Sequence, residues 1–82
     1  MQTPKVDDRV RDVIARVAKI PRDFREDADL YRELGVKSGA ALELLLSLED
    51  EFGISIPDDA FGEARSPHRI VALVTSLHGV DA

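Results

Sequence analysis

Three segments in which apolar residues return every three or four positions, each bounded by proline or glycine, leave this chain little choice but a small helical fold. In the first, Val6, Val10, Val13, Ile14 and Val17 fall on one stripe and leave Asp8, Arg9, Arg11, Asp12 and Arg16 to water. The spacing predicts a helix over 5–19, ended by Pro21. Valine is a weak helix former, so this helix depends on docking its stripe against a core. In the second, Ser38 is predicted to cap a helix over 39–52 that Gly53 ends. Ala41, Leu45, Leu48 and Phe52 form its stripe, with Leu42 and Leu44 beside it, and all six are expected to face the core. Gly39, Glu43, Ser47 and Asp50 lie opposite, with Leu46 next to this polar side.

The third segment begins Ser66-Pro67, a cap followed by proline at the first helical position. Ile70, Leu73, Val74 and Leu77 form its stripe and Gly79 stands where a C-terminal cap belongs, so a helix is predicted over 67–78. Ile54 and Ile56 suit a short extended connection, and Pro57 to Phe61 suit a short helical turn before Gly62. Residues 21–37 form a long connection with Phe24, Leu30, Tyr31 and Leu34 as anchors. Connections of this length usually carry function or short helical turns. The expected fold is all-α, a small four-helix bundle of three main helices and one short one.

With 82 residues and neither a repeat nor a linker-like stretch, one domain over 1–82 is expected, its core at about 6–78. Such a chain buries a core but hardly a deep cleft as well. It has no cysteine, so it encodes no disulfide, no thiolate metal site and no thiol chemistry, and any thiol it uses is imported. It shows no basic-then-apolar leader and no apolar run near the ~20 residues that span a bilayer. A cytoplasmic monomer without membrane insertion is the expectation. The net charge of −5 is unevenly spread: residues 38–64 contain seven acids and no lysine or arginine, whereas the flanking segments are close to neutral. A solvated face has this composition too, but such a field repels nucleic acid and steers basic surfaces toward Ser38.

The order Leu34-Gly35-Val36-Lys37-Ser38, then Leu42-Glu43-Leu44, then Phe52-Gly53-Ile54-Ser55-Ile56-Pro57 resembles the acyl carrier protein family, and the likeness runs from about Val6 to Leu77. The resemblance implies a carrier, not an enzyme, with 4′-phosphopantetheine attached covalently to Ser38 and a thioester-linked cargo on its thiol. It implies a phosphopantetheinyl transferase and acyl or aminoacyl ligases or transferases as partners. A phosphodiester also suits a helix N-terminus, where unpaired N–H groups and the positive end of the helix dipole meet it. By the same resemblance, Glu43 and Leu46 match partner-facing positions, and Asp50 shares their solvent side. The family usually has aspartate before its serine and leucine or methionine after it, whereas this chain has Lys37 and Gly39 in that partner-read surface. Ala40 replaces a frequent acid, which points away from the usual fatty-acid synthesis enzymes. Leu30-Tyr31 and Ser66-Pro67-His68-Arg69-Ile70 are similar to carriers charged with amino acids, the D-alanyl type included, so fatty acyl and aminoacyl cargo both stay open.

Other chemistry finds little support. His68 and His78 are ten positions apart on nearly opposite helix faces, which does not suit paired metal ligands. Asp58-Asp59 and Glu49-Asp50-Glu51 lack the glycine-centred alternation of a calcium loop and read as solvated acids. No Ser/His/Asp arrangement is visible. The competing class is a helical interaction module without a prosthetic group, in which the acidic second helix binds a basic partner and Ser38 only caps.

Overall fold

A computed structural model of the chain describes residues 5–78, and within them the structure is helical without strands. Helices α1 (Val6–Ala18), α2 (Ser38–Phe52), α3 (Asp58–Glu63) and α4 (Pro67–His78) follow in chain order. The expected cap at Gly79 lies outside the described residues. No helix among them is long and apolar enough to cross a membrane.

The valine stripe docks as its periodicity requires. Val10, Val13, Ile14 and Val17 are buried, and α1 packs against both α2 and α4 while α3 rests on α4. Helix α1 stops before Pro21 because Lys19 turns into the left-handed region at φ 59° and ψ 48°, an uncommon conformation for a side-chain-bearing residue. The N–H of Lys19 donates to the carbonyl of Ala15, as does that of Ile20 at 3.1 Å. Helix α4 starts as predicted, with the Ser66 hydroxyl accepting the Arg69 N–H at 3.3 Å. Helix α3 runs further than the predicted turn, through Gly62 to Glu63.

Leu30 is fully buried beside Leu44, Leu48, Ile70 and Val74, although it belongs to the connection and to no helix. Its N–H donates to the Arg65 carbonyl at 2.8 Å, and its own carbonyl accepts the Val36 N–H at 2.9 Å. Around it Asp29 organises a reciprocal turn. One carboxylate oxygen accepts the N–H groups of Tyr31 and Arg32, both at 2.9 Å, while Glu33 accepts the Asp29 N–H at 2.9 Å. Arg65 pairs with Asp29 at 3.1 Å and lies over the Tyr31 ring at 4.8 Å. At the other end of the connection, Arg11 donates to the carbonyls of Arg22 and Phe24 and stacks on the Phe24 ring at 4.4 Å. Phe24, Tyr31 and Leu34 are half-buried anchors as expected, and Ala28 and Val36 join them as buried ones.

One expectation for α2 fails. Leu42 does not face the core: it is 60% exposed, whereas Leu44, Leu45, Leu48 and Phe52 are buried. The core direction is set by Leu44 and Leu48, and Leu42 projects about 160° around the helix from Leu44, on the side of Leu46. Leu44→Ala should therefore cost about 2–5 kcal/mol by leaving a cavity. Leu42→Ala should stay within about 0.5 kcal/mol. Urea denaturation of both variants checks the assignment.

The Asp29 carboxyl is held below the ordinary aspartate range, first by the Arg32 N–H, then by the Tyr31 N–H and Arg65. A depressed folded pKa stabilises the fold above the unfolded value of about 3.9. That contribution fades as pH falls through the folded value. The stability advantage of the wild type over Asp29→Asn should be present at neutral pH and shrink steadily below about pH 4. Denaturation midpoints measured across acid pH test this.

Candidate functional site

The approach to Ser38 is built by a turn and an anchor. Gly35 takes φ 77°, a left-handed value that would strain any side-chain-bearing residue. Val36 is then buried, which leaves Lys37, Ser38 and Gly39 on the surface at the head of α2. Lys37 is extended at φ −84° and ψ 159°, and its carbonyl accepts the N–H groups of Ala40 at 2.8 Å and Ala41 at 3.0 Å. The predicted cap is thereby displaced by one residue: Lys37 occupies the cap position, and Ser38 is the first residue of the helix proper. The cause is the preceding turn, which fixes Lys37 as the last extended residue.

This displacement matters chemically, because a capping hydroxyl is engaged with backbone N–H groups and this one is not. Ser38 is exposed, and its side chain has no hydrogen-bond partner among the described residues. The Ser38 and Gly39 N–H groups have no backbone acceptor there either. The first turn of α2 contains no acid, whereas those of α1 and α3 each contain two. A phosphodiester on Ser38 would meet open N–H donors, the positive end of a 15-residue helix and the neighbouring Lys37, with no carboxylate in that turn to repel it. A Cβ built on Gly39 would meet nothing within 4 Å, so bulk attached to Ser38 has room beside it. The residues present fit a phosphopantetheine linkage.

Four of the five residues expected to meet partners share one face. Gly39, Glu43, Leu46 and Asp50 line a shallow groove of ≈ 420 Å³ with Ser47 and with Leu42, the residue that sequence reasoning placed in the core. Its signal was available in the spacing, since Leu42 and Leu46 stand one turn apart. Lys37 lies outside this groove, next to Ser38 at the helix head.

The acidic run that ends α2 is not uniformly solvated. Glu49 accepts the Ile56 N–H at 2.8 Å and so holds the extended connection against the helix. Glu51 pairs with Arg9 at 3.0 Å and also gives it a backbone carbonyl at 2.8 Å, while that guanidinium covers the Phe52 ring at 4.5 Å. Asp50 stays exposed on the groove. Among the described residues, no group of three or more histidine, aspartate or glutamate side chains is placed to hold a metal.

The sequence profile of a family described as phosphopantetheine attachment site matches residues 8–74. A match over most of the chain accords with the helical bundle. The chain therefore belongs to the phosphopantetheine attachment-site family, whose members are non-catalytic carriers of covalently attached 4′-phosphopantetheine.

Proposed function

We propose that Ser38 is the attachment residue and that the chain acts as a single carrier domain, presenting an acyl or aminoacyl thioester to successive enzymes. The observation that carries this reading is the unengaged, exposed hydroxyl at the first position of α2. The bound arm supplies the thiol that the chain itself lacks. Lys37, the open N–H groups and the helix dipole hold the phosphate end, and the rigid bundle presents the rest. A working thiol suits a reducing compartment, which supports the cytoplasm.

The outer face of α2 supports a second part of the reading. Gly39, Glu43, Leu46 and Asp50 form the docking surface for a phosphopantetheinyl transferase and for the ligase or transferase that handles the cargo, with Lys37 beside them. The exposed carboxylates draw basic enzyme surfaces, and Leu46 supplies the apolar contact. Gly39 has no packing reason to be glycine, because its Cβ position is open and glycine weakens a helix. Lys37 and Gly39 together therefore read as determinants of partner choice: a cation disfavours strongly basic surfaces, and a missing side chain withholds a contact.

Incubation with coenzyme A and a broad-specificity phosphopantetheinyl transferase should add one phosphopantetheine, seen by intact mass and mapped to the Ser38 peptide. Ser38→Ala should abolish the addition. Because the hydroxyl caps nothing, this variant should lose no more than about 0.5 kcal/mol of stability. Absence of any added mass with several transferases would instead favour an interaction module without a prosthetic group.

Glu43→Lys and Asp50→Lys should slow transferase association and flatten its dependence on ionic strength while leaving the helical circular dichroism unchanged. Stopped-flow association at low and high salt distinguishes this outcome from an unchanged rate, which would remove the groove from the docking surface.

A further inference from the structure

The groove on α2 begins one residue beyond Ser38 and runs the length of the helix to Asp50. Leu42 and Leu46, 60% and 54% exposed, are the large apolar side chains left in water among the described residues, and they form its floor. Packing explains neither leucine, since the core lies on the opposite side of α2. Gly39, with open space at its Cβ position, keeps the mouth of the groove clear next to Ser38.

Taking Ser38 as the attachment residue, we propose that the phosphopantetheine arm folds back into this groove of its own carrier, and that the groove favours a positively charged cargo such as an aminoacyl group. Reach permits it. Leu42, Leu46 and Asp50 stand about 6, 12 and 18 Å along the helix axis from Ser38. From phosphorus to sulfur the arm has roughly as many backbone bonds as four extended residues, about 14 Å. The thiol therefore falls between Leu46 and Asp50. The dimethyl-substituted carbon near the phosphate lies toward the level of Leu42, and the first amide N–H that follows comes level with Glu43. Charge orders the arm in one direction. Residues 38–64 contain no lysine or arginine, so the phosphate is repelled from the groove and stays at the helix head, where Lys37 and open N–H groups receive it. At the far end, the ammonium of an aminoacyl thioester meets Asp50, whereas a neutral acyl group gains no such attraction. A second copy of the chain is a poor occupant, because it would bring the same carboxylates against themselves. Partner enzymes proposed to use this face would displace the arm, so docking and release of the cargo are one event.

The test starts from the chain modified with coenzyme A bearing a nitroxide on its thiol, with loading at Ser38 confirmed by mass. In ¹⁵N spectra the amide signals of Leu46, Ser47 and Asp50 should broaden strongly, while those of Val10 and Val71, which line a separate cavity of ≈ 380 Å³ between α1 and α4, persist. Leu42→Ser combined with Leu46→Ser, both at exposed positions, should restore the broadened signals. With stable amide-linked arms, a glycyl end should shift the Asp50 signal more than an acetyl end, and Asp50→Asn should remove the difference. Loading without groove broadening, broadening that the double variant does not relieve, or broadening centred on Val10 and Val71 would overturn the groove as the arm's site and leave Ser38 attachment standing. Equal shifts from the two arms would overturn the cargo preference. No added mass at Ser38 would overturn the attachment reading and this inference together.

Discussion

The position of Ser38 depends on Leu30, eight residues earlier. An apolar side chain from an irregular connection fills the centre of the bundle, and two backbone hydrogen bonds tie it to Arg65 on one side and Val36 on the other. Leu30 therefore links the entry of α4 to the turn that precedes α2. Without that link, Gly35 and Val36 would not present Lys37 extended, and the helix head would have no fixed start. Burial drives the arrangement, while the hydrogen bonds give it one register. The long connection is the foundation of the site and not a slack loop between helices.

Arginine reinforces the same frame. Arg9, Arg11 and Arg65 each cover an aromatic ring and each also donate to a carboxylate or carbonyl group. Through them α1 is joined to the end of α2, α1 to the start of the connection, and the entry of α4 to Asp29. A planar cation suits these places because its faces stack while its edges donate. The result is a division among the acids. Asp29, Glu49 and Glu51 hold the fold together, whereas Glu43 and Asp50 are left for the groove.

Much of this was legible in the sequence. The stripe of α1, the Ser66-Pro67 start of α4 and the glycine end of α2 are local signals, set by periodicity and backbone conformation, and the structure follows them. The assignments that failed depend on long-range packing. Whether Leu42 or Leu44 points inward is decided by which flank of the stripe meets α1, and two adjacent leucine-rich flanks look alike until that partner is placed. A serine before an apolar helix usually caps it, but the turn anchored by Leu30 starts the helix one residue sooner, and Ser38 becomes its first residue. The roles of Glu49 and Glu51 were hidden because their partners, Ile56 and Arg9, lie beyond the helix itself. For Gly39 the structure supplies no packing reason.

Three of the four aromatic side chains lie under arginines, and the side chains buried most completely are all aliphatic. The chain has a single tyrosine and no tryptophan. Tyr31, half-buried beneath Arg65, is thus its dominant intrinsic fluorophore, and it sits in the connection and not in the helices. Its emission monitors the state of that connection, while far-ultraviolet circular dichroism monitors the helices. Two optical signals of the unmodified chain therefore tell whether the platform beneath Ser38 comes apart together with the bundle or ahead of it.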